Sequence, residues 1–296
     1  VKSILTEQPP PMQTVHSLDP LRRAVATLRE TGTVALVPTM GALHEGHLTL
    51  VREARKHADH VVVSIFVNPL QFGANEDLDA YPRQLERDSA LLEPEGVALI
   101  WAPTVEAMYP QGFATNISVT GVSEGLCGAA RPGHFDGVAT VVCKLFHQVL
   151  PDVALFGEKD WQQLAVIRRM ARDLDLTQPH ADAIIGVETV RETDGLARSS
   201  RNAYLTAEQR AAAVTLPTAM KAAIAAIESD TRVADALADL EKALLSGGFA
   251  SLDYAELRDA DDLALLDARS DRSMRLLVAA RIGKARLIDN MAVAPR

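Results

Sequence analysis

Cysteine is scarce in this 296-residue chain: Cys127 and Cys143 are the only two, and they form no CxxC pair. That excludes a disulfide-stapled scaffold and fits a reducing, cytoplasmic setting. Basic charge is short too, with 30 Lys and Arg against 39 Asp and Glu and a formal net charge of −9. A nucleic-acid or membrane-surface binder would need the opposite excess, so any basic residues that matter act locally. No uninterrupted apolar run approaches the roughly twenty residues of a membrane span. No secretory leader and no internal repeat stands out, and residues 1–13, with Pro9-Pro10-Pro11 after a start at Val1, read as a flexible, trimmed tail. What is plentiful is apolar residues, 48% of the chain, enough to bury one large or two ordinary domains.

The apolar residues are patterned. Short, nearly all-apolar runs at 33–37, 61–67, 97–101, 153–156 and 183–187 alternate with helical patterns at 47–58, 82–93, 136–149 and 160–173, after a first helix from Asp19-Pro20 to Glu30. Strands buried on both faces and separated by helices predict an α/β fold, a Rossmann-like doubly wound parallel sheet, over residues 1–186. Its ligands belong beyond the carboxyl ends of the strands. Residues 187–296 change rhythm: a Thr206/Gln209 capping box opens an alanine-rich helix, a second helix spans 232–245 up to Gly247-Gly248, and strands follow at 252–258, 275–282 and 285–293. This predicts a smaller α+β domain with antiparallel strands, joined through a polar hinge at 188–202.

Four strand or loop ends carry candidate chemistry. In PTMGALHEGHL (38–48), His44 and His47 bracket the start of a helix. Spacing alone fits a solvated histidine pair, and a metal site lacks a third ligand; the glycines and the strand-to-helix turn favour a phosphate met by backbone N–H groups and imidazoles. In FVNPLQF (66–72), Asn68 and Gln71 are neutral amides suited to a small polar substrate, or parts of an ordinary Asn-Pro turn. In FGEKDWQQ (156–163), Lys159 is placed for phosphate, Asp160 for capping the next helix, and Gln163 for the crevice. In DGLARSSRN (194–202), Ser199, Ser200 and Arg201 form an oxyanion cradle on a loop able to close. Arg131 and His134, in RPGHFDG, are as consistent with a structural role as with a substrate-facing one.

Together, PTMGALHEGH, FVNPLQF, EDLDAYPR, RPGHFDGVATVV, FGEKDWQQL and DGLARSSRN resemble, in order, the pantothenate synthetase (pantoate:β-alanine ligase) family of the HxGH nucleotidyl-transferase superfamily. A fainter likeness continues through Leu252–Arg258 and RLIDN (286–290). The resemblance implies two half-reactions: ATP and pantoate form pantoyl adenylate and pyrophosphate, and β-alanine then displaces AMP. It implies that Met40, Gly41, His44 and His47 contact ATP, with His47 the usual proton donor. An electrostatic role for both histidines is physically preferable, because a carboxylate nucleophile needs no deprotonation. It further implies Gln71 and Gln163 at pantoate, with Gln71 also facing β-alanine. Gly157, Lys159 and Asp160 would meet ribose and phosphate, Val190 the adenine side, and Ser199, Ser200 and Arg201 the triphosphate, so that His44, His47, Lys159 and Arg201 carry catalysis. Mg²⁺ is expected with the nucleotide, with Asp88 as candidate direct or water-mediated ligand. A homodimer is implied. Arg198 departs from the usual Met or Leu, and Trp161 from the usual Tyr. The competing readings are adenylyl transfer to a phosphate substrate, which would want more basic residues than two glutamines, and a non-catalytic nucleotide- or metal-binding regulatory domain.

Overall fold

A computed structural model describes residues 12–73, 78 and 81–296. The first eleven residues of the expected tail, and half of the 76–83 block, lie outside the described residues. Six strands form one parallel sheet: β1 (Gln13–Val15), β2 (Val34–Thr39), β3 (His60–Ile65), β4 (Leu99–Trp101), β5 (Val153–Gly157) and β6 (Ile184–Val187), in the order β1-β4-β3-β2-β5-β6. Seven helices accompany them: α1 (Leu18–Arg29), α2 (Glu45–His57), α3 (Leu85–Leu92), α4 (Val105–Met108), α5 (Leu126–Ala130), α6 (His134–Val149) and α7 (Trp161–Asp173).

Alternation along each strand explains why the runs are apolar throughout. Val34, Leu36 and Val62 enter one core with residues of α1, α6 and α7, such as Leu21, Phe146 and Ile167. Their neighbours Ala35, Val37, Val61 and Val63 enter the opposite core with Val51 and Ala54 of α2 and Leu92 of α3. Both faces are covered, as a parallel sheet requires. Residue Gln13, expected in the tail, instead opens β1, whose Thr14 pairs with Ile100. The sheet order diverges at β2, which has β3 on one side and β5 on the other, and ligands of such sheets sit at that switch point.

The C-terminal region contains α8 (Ala207–Ala213), α9 (Thr215–Glu228), α10 (Val233–Ser246) and an antiparallel sheet β7 (Ser251–Asp259), β8 (Met274–Ile282), β9 (Ala285–Val293). The Thr206/Gln209 capping box is formed. Ala207–Glu228 is long and apolar enough to cross a membrane by length and composition, which counting uninterrupted apolar residues missed because Thr, Arg and Lys break the run. Its apolar side belongs to a core: Leu216, Met220, Ala223 and Ile227 pack in one cluster with Leu276, Val278 and Leu287 of the sheet.

Candidate active site

The chain leaves β2 through a turn that needs glycine, Gly41 having φ +83° and Ala42 φ +51°. A Cβ on Gly41 would lie 2.9 Å from Asp88 Oδ2. Asp88, on α3 and 1% exposed, receives the Ala42 N–H on Oδ2 at 3.0 Å and the Leu43 N–H on Oδ1 at 2.9 Å. Both expectations for these residues are therefore corrected. Asp88 is not placed as a Mg²⁺ ligand, because its carboxylate is sealed from solvent and committed to two backbone donors. Gly41 is buried and does not line the crevice; it shapes the turn.

His44 caps α2, its Nδ1 accepting the Gly46 N–H at 3.1 Å, while His47 Nδ1 accepts the His44 N–H at 3.3 Å. A Cβ on Gly46 would meet the His44 ring at 2.9 Å, so glycine lets that ring fold back over the helix start. The ring centroids are 4.1 Å apart. With each Nδ1 accepting, the neutral rings carry their hydrogen on Nε2. Burial, then the charges of Lys159 and Arg198, lower the His44 pKa to about 4 against the pull of Asp160. Burial, then His44, lower that of His47 to about 3. Both are neutral hydrogen-bond donors at pH 7.

Across the crevice, Asn68 corrects another expectation. It is 1% exposed, and every polar atom is occupied: Oδ1 accepts the Leu70 N–H at 3.2 Å and the Tyr109 hydroxyl at 2.8 Å, while Nδ2 donates to Gly137 O at 3.0 Å and Gln71 Oε1 at 3.2 Å. It borders the crevice, but with its amide engaged on both atoms it orients Gln71 rather than presenting a free group. Because Leu70 N–H can only donate and Gly137 C=O can only accept, the Asn68 amide has one orientation. Gln71 must then accept through Oε1 and turn its NH₂ outward, where Nε2 lies 2.8 Å from Met40 Sδ. Burial raises the Tyr109 pKa, which keeps its hydroxyl a donor. Arg131 and His134, which meet each other at 2.9 Å, also hold the Gln71 carbonyl, His134 Nδ1 at 2.9 Å and Arg131 Nη2 at 3.3 Å.

From β5, Gly157 leads into a one-turn helix carrying Lys159 and Asp160. Asp160 stands at the N-cap of α7 without capping it; its Oδ2 lies 3.7 Å from Lys159 Nζ. Gln163 borders the crevice, whereas its neighbour Gln162 is buried and bonds the carbonyls of Val122, Glu124 and Gly125 and the Cys127 N–H. Arg198 pairs with Glu192 at 3.0 Å while bordering the crevice, and Trp161 donates to Ala260 O under the Arg275 guanidinium. One crevice is thus lined by Met40, His44, His47, Gln71, Gly157, Lys159, Asp160, Gln163, Val190, Ser199, Ser200 and Arg201, drawn from four separate stretches. Sequence reasoning overlooked Tyr81, which also lines it. Among the described residues, no group of three or more His, Cys, Asp or Glu could hold a metal ion.

This fold and site define an α/β enzyme with a His-x-Gly-His motif at a helix start and side-chain amides across the crevice from it. The chain belongs to the pantoate–β-alanine ligase family, whose model matches residues 13–292. It is 70% identical to the pantothenate synthetase of Novosphingobium aromaticivorans over 286 residues, 96% of this chain and 100% of that one. The fold is similar to the Thermus thermophilus pantothenate synthetase, with a TM-score of 0.88 at 49% identity, covering 96% of this chain and 100% of that one. A Francisella tularensis pantoate–β-alanine ligase, described as complexed with β-γ ATP and β-alanine, gives a TM-score of 0.80 at 32% identity over 95% and 97% of the two chains.

Proposed function

We propose that this chain condenses (R)-pantoate with β-alanine in an ATP-dependent, AMP-forming ligation. A carboxylate is a poor acyl donor, since hydroxide is a poor leaving group. One pantoate carboxylate oxygen therefore attacks the α-phosphorus of ATP; the bond to the bridging oxygen breaks and pyrophosphate leaves with the electron pair. The β-alanine amine then attacks the acyl carbon of pantoyl adenylate, AMP departs, and the amine proton passes to solvent.

The observation that carries this reading is the sense of the hydrogen bonds around the crevice. His44 and His47 offer Nε2–H donors and Gln71 an outward NH₂, and all three suit anionic oxygens. In this reading the histidines stabilise charge building on the phosphates through Nε2–H hydrogen bonds, because rings that are neutral at pH 7 carry no extra proton to give. Lys159, Ser199, Ser200 and Arg201 receive the departing pyrophosphate, Gly157, Asp160 and Val190 the nucleoside, and Gln71 and Gln163 the pantoate carboxylate and hydroxyls. Mg²⁺ enters as part of the nucleotide substrate and neutralises pyrophosphate charge.

Residues 1–186 form the binding domain in this reading and 187–296 the lid. The enzyme is proposed as a cytoplasmic homodimer, which light scattering checks directly. Incubation with ATP, pantoate, β-alanine and Mg²⁺ is expected to give AMP, pyrophosphate and pantothenate in equal amounts. Formation of ADP, or no AMP at saturating substrates, overturns the proposal.

A further inference from the structure

None of the described residues lining the crevice lies beyond Arg201, yet two adjacent residues of β9 hold its phosphate side. Asn290 Nδ2 donates to the carbonyls of Glu158 and Lys159, both at 2.9 Å. Asp289 takes a two-pronged bond from Arg191, Nη1 to Oδ2 at 2.7 Å and Nη2 to Oδ1 at 2.9 Å. Arg191 sits at the neck of the loop that ends in Ser199, Ser200 and Arg201. It also donates to Gly195 O at 3.1 Å and bridges to Ala197, while Arg198 N–H bonds Val190 O. The Asn290 N–H reaches Asp289 Oδ1 at 2.8 Å, so the two grips are linked to each other.

Fold stability alone is a weak reason for this arrangement. Asp289 and Asn290 are 2% and 3% exposed, and a buried ion pair is often matched in stability by apolar residues of similar size. Asn290 Oδ1 takes no hydrogen bond among the described residues, a cost that apolar packing would avoid. What the pair supplies, and apolar packing would not, is a fixed distance between the Lys159 turn and the serine-arginine loop.

We infer that Asp289 and Asn290 are positioning residues for adenylation, one gripping the serine-arginine loop and the other the Lys159 turn, so that both meet the departing pyrophosphate in register. This rests on the ligase reading above. Pyrophosphate leaves only in the first half-reaction, so the two halves respond differently. In Asn290→Ala and Asn290→Asp, pantoate-dependent exchange of labelled pyrophosphate into ATP is expected to slow by about 10- to 100-fold, the effect of an ångström-scale misplacement. Conversion of supplied pantoyl adenylate and β-alanine to pantothenate should stay within about twofold. Unchanged exchange, or an equal fall in both half-reactions, overturns the inference. If the Asn290 variants lose their thermal transition, Asp289→Asn must give the same split; if that variant also fails to fold, the residues serve the fold and the inference is wrong. A wild-type chain with no pantoate-dependent exchange refutes the ligase reading itself.

Discussion

Asp88→Asn separates two roles for one carboxylate. The native side chain accepts the Ala42 and Leu43 N–H groups at 3.0 and 2.9 Å while 1% exposed. Hydrogen bonds to a buried charged acceptor are worth about 1.5–3 kcal/mol each. Asparagine keeps one acceptor, now neutral, and turns an NH₂ toward the other N–H, so the loss is about 3 kcal/mol. For a unit of this size each kcal/mol lowers Tm by about 2–4 °C, which predicts a fall of roughly 6–12 °C in a thermal melt. The Mg²⁺ concentration giving half-maximal AMP formation should stay where it is in the wild type, while kcat falls because the loop carrying His44 and His47 loses its anchor. An unmoved Tm with a tenfold or greater rise in the Mg²⁺ requirement would refute this reasoning and restore Asp88 as a metal ligand.

Acid should destabilise the protein through the histidine pair. The folded pKa values, about 4 for His44 and about 3 for His47, lie below the ordinary 6.5, so the unfolded chain binds the proton first. Stability is full above pH 6.5 and is lost as pH falls toward about 4 for His44 and about 3 for His47. After allowance for partial exposure this is about 1 kcal/mol per ring at pH 5, and urea unfolding of the His44→Gln/His47→Gln variant at pH 7 and pH 5 should lack that share of the slope. Gln71→Glu replaces an outward donor by an anionic acceptor, so the pantoate KM should rise about 100-fold with Tm nearly unchanged; an unaltered KM removes Gln71 from the pantoate site. Lys159→Ala should lower adenylation at least about 100-fold while keeping the thermal transition, and loss of that transition would make the residue structural.

Much of the architecture was legible because the information is local. Five of the parallel strands announce themselves as apolar runs between helical patterns, and the Thr206 box marks its helix directly. β1 was hidden in an expected tail because it spans three residues and buries only Val15. The crevice residues were legible where a motif sits at the end of a strand, as for His44, Gln71 and Lys159. What stayed hidden depends on partners far along the chain. Asp88 looked like a free carboxylate until α3 brought it under a turn 45 residues away. Asn68 looked substrate-facing until Tyr109 and Gly137 claimed its amide. Gln162 and Gln163 are neighbours of one type, and only the packing of the 122–127 segment decides which is buried. Asn290 stood in the fainter RLIDN likeness, but nothing local told its role, because its partners lie 132 and 131 residues away.

The central claim, that the pantoate carboxylate attacks the α-phosphate in this crevice, leaves an isotopic mark. Pantoate labelled with ¹⁸O in both carboxylate oxygens, supplied with ATP, Mg²⁺ and β-alanine, should transfer one labelled oxygen to the phosphate of AMP and keep the other in the pantothenate amide, as mass spectrometry of both products would show. AMP without label, or label in inorganic phosphate, would mean that the carboxylate is not the group adenylated, and the account would be wrong at its centre.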